Sequence, residues 1–272
     1  MSTTKTWFIT GASRGFGRAW AQAALERGDR VAATARDTST LDDLARRHGD
    51  ALLPLTLDVT DRAAAFAAIH AAHERFGALD VIVNNAGYGL FGAIEEVSER
   101  EARQQLDTNL LGPLWVTQAA LPILRAQGGG RILQVSSIGG IAAFGLLGLY
   151  HASKWGLEGF SESLALEVAP HGIRVTLVEP GPYATDWSGA SGVRSAPLPA
   201  YDAIRDARAA QRSALTPPGA AATAPAILRL VDAEEPPLRL FLGPFPLPVA
   251  ERAYADRLAT WRAWASVADG AV

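Results

Sequence analysis

One stretch decides the fold of this 272-residue chain: Thr10-Gly11-Ala12-Ser13-Arg14-Gly15-Phe16-Gly17. An apolar run at residues 5–10 predicts a strand before it, and residues 16–27 follow as a helical pattern that stops at Gly28. Glycines between a strand and a helix let the backbone turn tightly and approach a pyrophosphate, which the helix N-terminus binds. The stretch therefore predicts a dinucleotide site at the first turn between strand and helix.

Short apolar runs alternate with longer helical patterns along the rest of the chain. Asp61 is placed to cap a helix at 61–76, and Ser98 with Glu101 forms a capping box for the next one. This alternation predicts one α/β domain, residues 1–272, with a doubly wound parallel sheet and helices on both faces. About seven strands are predicted, at residues 5–10, 30–35, 52–57, 80–84, 131–136, 173–179 and 238–243.

Composition excludes several classes of function. A net charge of -3 leaves no basic stripe for nucleic acid, and the absence of cysteine excludes disulfides, thiolate catalysis and cysteine metal sites. No apolar run has the roughly 20 residues of a membrane span, so we expect a cytoplasmic protein without a membrane partner. His70, His73 and Glu74 are typical of a solvated helix face, and no metal is expected.

Two later segments stand out. Residues 181–219 are rich in Pro, Gly, Ser and Ala and interrupt the alternation, which favours a substrate-binding lid. A last helix at 249–267 carries Tyr254, Leu258, Trp261 and Trp264 at helical spacing, which predicts core or interface positions.

The glycine stretch also spells G-x-S-x-G, the nucleophile elbow of hydrolases. That fold takes an oxyanion donor from an earlier loop between strand and helix. Only ten residues precede Gly11, so the elbow interpretation is set aside.

The end of the second strand indicates which dinucleotide is bound. NAD-preferring folds place an acid there to bind the ribose hydroxyls, but this chain has Ala35 followed by Arg36. Arg36 can pair with a 2′-phosphate, and Arg14 can reach the same group. We therefore expect NADP(H), with Asp37 as the competing candidate for a ribose ligand.

A second pattern predicts catalytic residues. Tyr150 and Lys154 are four residues apart, so on a helix their side chains share one face. A nearby ammonium lowers the pKa of a phenol, which makes Tyr150 a candidate general acid or base. Ser136 and Ser137 end the preceding strand, and Asn109 lies in a helix upstream.

With these motifs the chain resembles the single-domain short-chain dehydrogenase/reductase family, which has a Rossmann-type fold. The resemblance runs from Thr10 to about Asp186. It is carried by Gly11, Gly15 and Gly17, by Asp58-Val59, by Asn84-Asn85-Ala86-Gly87, and by Asn109, Tyr150, Lys154 and Pro180-Gly181.

The resemblance implies roles for these residues. Tyr150 would donate the proton to a carbonyl oxygen, and Lys154 would lower its pKa and bind the nicotinamide ribose. Ser137 would orient the carbonyl, since the family places its serine thirteen residues before the tyrosine, and Asn109 would hold a water. Asp58 and Val59 would contact adenine and Thr185 the carboxamide. The implied cofactor contacts are Gly11, Ser13, Arg14, Gly15, Phe16, Gly17, Arg36, Asp58, Val59, Asn85, Ala86, Gly87, Tyr150, Lys154, Pro180, Gly181 and Thr185.

The predicted function is therefore hydride transfer between NADP(H) and a hydrophobic ketone, aldehyde or secondary alcohol. No basic cluster is expected at the substrate, and the segments 85–96 and 180–187 are similar to the hydroxysteroid- and retinol-dehydrogenase-like branch. The expected substrate wall is apolar: Tyr88, Leu90, Phe91, Ile138, Phe144, Leu146, Tyr183 and Trp187.

Two alternative functions and an expected oligomeric state complete the predictions. A catalytically idle NADP(H)-binding, redox-sensing module needs the glycine loop only; an epimerase or dehydratase usually carries a larger C-terminal domain. Small residues beside Trp155 and Phe160 on the helix of Tyr150 favour a homodimer or homotetramer. His151 is expected to point to another face of that helix, with no role.

Overall fold

The computed structural model describes residues 4–189, 191–213 and 216–271. Its strands are β1 (Thr6–Ile9), β2 (Arg30–Ala35), β3 (Leu52–Thr56), β4 (Val81–Asn84), β5 (Leu90–Phe91), β6 (Gly130–Val135), β7 (Ile173–Pro180), β8 (Val193–Arg194) and β9 (Arg239–Leu242). Its helices are α1 (Gly15–Glu26), α2 (Asp42–His48), α3 (Arg62–Phe76), α4 (Glu99–Leu106), α5 (Gly112–Ala126), α6 (Gly148–Val168), α7 (Asp202–Ser213), α8 (Ala224–Asp232), α9 (Pro246–Ala263) and α10 (Ala265–Asp269).

A seven-stranded parallel sheet organises the molecule, in the order β3-β2-β1-β4-β6-β7-β9. All seven predicted strands are in this sheet, so the predicted fold class is confirmed. Between β1 and β4 the direction of winding reverses, and a crevice opens there at the carboxyl ends of the strands. The remaining strands, β5 and β8, pair with each other outside the main sheet.

Helices cover both faces of the sheet, which is why its strands are apolar throughout. Trp7 and Ile9 of β1 belong to the core on one face, and Phe8 between them belongs to the core on the other. The first face is closed by side chains of α1, α2 and α8 and the second by α3, α5 and α6. Burial on both faces is what the continuous apolar runs predicted.

Local caps set the helix boundaries as predicted. The Asp61 carboxylate accepts a hydrogen bond from the Ala64 N–H at 3.0 Å, and α3 ends at Gly77 in the left-handed conformation. Ser98 and Glu101 form the reciprocal capping box of α4.

The C-terminal part departs from the prediction in two ways. Residues 181–219, predicted as a substrate-binding lid, contain the helix α7 and the short strand β8, which the sequence pattern did not predict. The predicted last helix is divided at Trp264, and Tyr254, Leu258, Trp261 and Trp264 are 47, 42, 60 and 64% exposed. Core positions were therefore wrong for these four, since only Pro246 and Ala250 of α9 are buried. Their interface role stays a prediction.

No helix within the described residues combines the length and apolar character that crossing a membrane requires.

Candidate active site

A cavity of about 1140 Å³ lies at the carboxyl ends of the strands, where the winding reverses. Its volume exceeds the roughly 300–1,000 Å³ of common small-molecule pockets, so it can hold a dinucleotide and a second ligand together. The loops after β1, β2, β3, β4, β6 and β7 all contribute to its wall, including Ser13, Arg36, Asp58, Ala86, Ser137 and Thr185.

The glycine loop is shaped by two positive φ angles, +65° at Gly11 and +57° at Gly15, which side-chain-bearing residues rarely adopt. A Cβ atom on Gly11 would lie 2.9 Å from the Cα of Ala86, so glycine is also needed for close approach. Asn85 stabilises the glycine loop, because its Nδ2 donates to the carbonyl oxygens of Thr10 and Gly11 at 2.8 and 3.0 Å.

Gly17 has a different role from the predicted cofactor contact. It does not line the cavity: a Cβ atom there would lie 2.5 Å from Asn85 Nδ2 and 2.6 Å from the Gly11 carbonyl oxygen. Gly17 therefore allows α1 to pack against the loop, and the loop presents Gly11 and Gly15 to the cavity.

The N-terminus of α1 fits a pyrophosphate. Its N-cap residue, Arg14, makes no side-chain cap, and Ser13, Gly15 and Phe16 line the cavity beside it. The N–H groups of a first helical turn have no partner within the helix, and together with the helix dipole they attract anions.

Arg36 lines the cavity beyond the end of β2, as predicted for a group that reaches the 2′-phosphate. Asp37 does not line it; its carboxylate accepts a hydrogen bond from the Ser39 N–H at 3.0 Å, and the hydrogen bonds from Ser39 lower its pKa. Arg14 lies 3.8 Å from Asp186, and both side chains are about half exposed. Both arginines therefore line the cavity, whereas the Asp37 carboxylate already has a hydrogen-bond partner outside it.

Three of the four predicted catalytic residues meet on one wall of the cavity. Tyr150 and Lys154 are buried on one face of α6, and the Ser137 hydroxyl forms a hydrogen bond with the Tyr150 side chain. The Lys154 ammonium donates to the Val135 carbonyl at 2.7 Å. Ser136, the neighbouring serine, instead donates to Glu158 at 2.5 Å, so the choice of Ser137 agrees with this geometry.

Burial dominates the ionisation of this pair. It raises the pKa of Tyr150 to about 12, although the hydrogen bond with Ser137 opposes the shift. It lowers the pKa of Lys154 to about 8, against the charge of Glu158. The expected lowering of the Tyr150 pKa is therefore not found in the polypeptide itself, because loss of hydration outweighs the hydrogen bond with Ser137.

Asn109 lies behind the wall, in a π-helical turn at Asp107–Leu111. Its Oδ1 accepts from the Tyr88 N–H at 3.1 Å, and its Nδ2 donates to the Tyr88 carbonyl at 3.0 Å. A Cβ atom on Gly87 would lie 3.1 Å from Asn109 Oδ1 and 3.8 Å from Lys154 Nζ, so both side chains approach this glycine. Asn109 orients the Tyr88 backbone, and its predicted water stays a prediction.

His151 does have a role, contrary to the prediction. Its buried ring lines the cavity, donates from Nδ1 to the Gly139 carbonyl at 2.8 Å and accepts at Nε2 from the Phe144 N–H at 2.9 Å. Burial is the main cause of its lowered pKa, which favours the neutral ring. His151 therefore secures the loop after Ser137. Its partners are backbone groups, which leave no signal in the sequence.

The part of the cavity beside Tyr150 is lined by aromatic and aliphatic side chains, as expected for the substrate. The Trp187 ring packs edge-on against Tyr150 and Phe91, with centroids 4.9 and 5.1 Å apart. Leu90 and Leu146 were expected to line the cavity but do not. Leu90 is buried in the protein, because side chains alternate along a strand and Phe91 faces the cavity. Leu147 lines the cavity in place of Leu146. The expected residues that line it are Tyr88, Phe91, Ile138, Phe144, Tyr183 and Trp187.

Basic side chains also reach the cavity, which contradicts the expectation that none would. Arg208 and Arg212 of α7 line it together with Gln211. Because α7 lies about 60 residues after the Tyr150 motif and was not predicted as a helix, only the fold places these groups there. No group of three or more metal-ligating side chains occurs among the described residues.

The fold and the cavity define a dinucleotide-binding enzyme scaffold, and comparison with known proteins identifies the family. The short chain dehydrogenase family model matches residues 5–193, and the chain belongs to this family. It is 42% identical over 256 residues to Oxidoreductase BOA17 of Botryotinia fuckeliana, which covers 92% of this chain and 93% of that protein.

Solved structures of similar proteins agree with this family assignment. A short-chain dehydrogenase from Streptomyces avermitilis is 38% identical and superposes with a TM-score of 0.92 over 100% of both chains. Two others, each 27% identical over 88% of this chain, differ in cofactor. A metagenomic short-chain oxidoreductase is complexed with NADP (TM-score 0.71, 97% of that chain), and a 3-ketoacyl-(acyl-carrier-protein) reductase from Brucella melitensis with NADH (TM-score 0.74, 96% of that chain).

Proposed function

We propose that this oxidoreductase uses NADP(H) to interconvert hydrophobic ketones or aldehydes with the corresponding alcohols. The observation that carries the proposal is the placement of Ser137, Tyr150 and Lys154 on one wall of the cavity, beside an apolar surface. NADPH, when bound, supplies the hydride.

The residues of the chain bind and protonate the substrate. The hydroxyls of Ser137 and Tyr150 converge, so both can bind one carbonyl oxygen. With a pKa of about 12, Tyr150 keeps its proton at neutral pH, which suits it to donate that proton during reduction. Trp187 and Phe91 place apolar rings beside the Tyr150 hydroxyl group, which suits this part of the cavity to an apolar substrate.

The preference for NADP(H) rests on charge at the end of β2. Arg36 faces the cavity, and the nearest acid in sequence, Asp37, accepts a hydrogen bond from the Ser39 N–H. A guanidinium binds a 2′-phosphate with two hydrogen bonds and an opposite charge. We also propose that residues 181–219 act as a substrate-binding lid on a single catalytic domain, since Trp187, Val193 and Arg208 of this segment line the cavity. A further proposal is that the chain forms a homodimer or homotetramer.

The test is a panel of apolar ketones and aldehydes, with NADPH consumption followed by absorbance. We expect turnover by the parent protein and a loss of about 10²-fold or more in Tyr150→Phe, with NADPH binding nearly unchanged, because only the proton donor is removed. A parent that binds NADPH but reduces no carbonyl would instead support an idle, redox-sensing module. A Tyr150→Phe variant with most of its rate would exclude the mechanism.

A further inference from the structure

We propose that α7 forms an anion site over the substrate end of the cavity, where Arg208 and Arg212 select carbonyl substrates whose apolar body ends in a carboxylate or phosphate group. This inference rests on the proposed function and names its substrate class.

Arg208 is held where it can meet a substrate. Its guanidinium donates to the Gly145 carbonyl, in the loop that carries Phe144. One turn earlier Ile204 lies against the same glycine, with its Cδ1 atom 2.7 Å from the position that a Cβ atom there would take. These two contacts dock α7 on the loop, and Arg208 and Arg212, four residues apart, present their side chains on one face to the cavity.

The two cations are not neutralised by the protein. Among residues 4–189, 191–213 and 216–271, no acid lies within ion-pair distance of Arg208 or Arg212. Arg205 on the same helix is bound instead, to Glu96 at 2.7 Å and to Asp202 at 3.1 Å. Burial and the charge of Arg212 lower the pKa of Arg208, as expected for two cations that repel each other. An anion at this position would relieve the repulsion.

Acidic groups of the cavity lie elsewhere in the site. Those that line it are Asp58, in the loop after β3, Asp107, whose charge acts on Tyr88, and Asp186, which is 3.8 Å from Arg14. The titratable group that Arg208 does affect is His151, whose pKa it helps to lower. The α7 end of the cavity is therefore positive, while the wall beside it is apolar.

An amphiphilic ligand matches this arrangement. Phe91, Phe144, Leu147 and Trp187 provide an apolar surface next to Tyr150 and Ser137. A substrate whose carbonyl lies at the two hydroxyls can extend along that surface and place an anionic end at α7. Guanidinium groups bind carboxylates and phosphates with paired hydrogen bonds, and Gln211 adds a neutral donor.

Binding tests the site without turnover. Titration calorimetry in the presence of NADP⁺ compares decanoate, decyl phosphate and decanol on the parent, Arg212→Gln, Arg208→Lys and the double variant Arg208→Gln/Arg212→Gln. We expect one or both anions to bind the parent about 10- to 100-fold more tightly than decanol, the size of one charged hydrogen bond. The tighter of the two anions identifies the head group.

The variants separate charge from folding. Arg212→Gln should reduce the preference, the double variant should abolish it with decanol affinity unchanged, and Arg208→Lys should keep most of it because the charge remains. Arg252→Gln on α9 is the control for net charge, since Arg252 is exposed and does not line the cavity. Equal binding of decanoate, decyl phosphate and decanol by the parent, or a parent-like preference in the double variant, would overturn the proposal.

Turnover then separates this inference from the proposed function. We expect kcat/KM for 9-oxodecanoate to exceed that for its methyl ester by about tenfold or more in the parent, and the two to be equal in the double variant. Equal rates with both substrates in the parent would refute the anion site and leave the reductase activity standing. Reduction of neither, with the binding preference intact, would refute the reductase activity and leave the anion site standing.

Discussion

Two adjacent serines at the end of β6 show how strongly one position along the chain changes a residue's role. The Ser137 hydroxyl bonds to Tyr150 in the cavity, whereas Ser136 points to the buried carboxylate of Glu158. Arg239 donates to the other oxygen of that carboxylate at 3.1 Å. A largely buried ionic cluster therefore lies beside the cavity wall that Ser137 and Tyr150 form.

Within this cluster Glu179 predicts a pH dependence of stability. It is fully buried, and burial together with the charge of Glu158 raises its pKa from 4.5 to about 9. The folded protein thus holds a proton that the unfolded chain releases above its ordinary pKa. The contribution of Glu179 to the free energy of unfolding has its full value below about pH 4.5 and is lost as the pH rises toward about 9.

Glu179→Gln removes this titration and keeps a neutral side chain of similar shape. We expect a higher free energy of unfolding than the parent at pH 8 and nearly the same value at pH 5, measured by urea unfolding. Glu162→Gln is the control, because Glu162 contacts the same Arg239 from an exposed position. A gain in stability of equal size at both pH values would contradict the assignment.

At the scale of elements, we expect the end of β2 to decide which cofactor is preferred. Losing the charged hydrogen bonds of Arg36 in Arg36→Ala should raise the KM for NADPH about 10- to 100-fold and barely affect NADH. Ala35→Asp should go further and reverse the preference, because a carboxylate there repels the 2′-phosphate and binds ribose hydroxyls. Paired kinetics with both cofactors measure this. A parent that already prefers NADH would make Asp37 the ribose ligand.

The packing of α1 against the glycine loop gives a second test at this scale. A methyl group on Gly17 would meet Asn85 and the Gly11 carbonyl at 2.5 and 2.6 Å, so Gly17→Ala should destabilise the protein by about 1–3 kcal/mol. On α6, nothing lies within 4 Å of a Cβ atom at Gly159, and Gly159→Ala should stabilise by about 0.5–1 kcal/mol. Denaturant unfolding compares each variant with the parent, and a Gly17→Ala variant as stable as the parent would refute the local clash.

At the scale of the whole molecule, we expect self-association. Trp155 on α6 is 43% exposed, and Trp261 and Trp264 near the C-terminus are 60 and 64% exposed. Large aromatic side chains in water favour burial against another surface. Light scattering at micromolar concentration should give the mass of a dimer or tetramer, and the mass of a 28.7 kDa monomer would refute this.

Local chemistry determined much of the protein from its sequence. Hydrophobic periodicity located the seven strands of the main sheet, and Asp61, Ser98 and Gly77 marked helix ends, because caps and turns act between residues a few positions apart. The glycine loop and the Tyr150–Lys154 spacing predicted a site for the same reason, since a helix brings residues four apart onto one face.

Only the tertiary structure decided the features that depend on distant segments. The packing role of Gly17, the backbone partners of His151 and the arrival of Arg208 and Arg212 at the cavity all require chain segments that no local pattern pairs. The raised pKa of Tyr150 has the same origin, because hydration is lost through burial by every neighbouring segment at once. The sequence by itself determined the strands, the caps and the candidate catalytic positions; the folded chain decided what surrounds them, since burial and electrostatic fields are sums over the whole molecule.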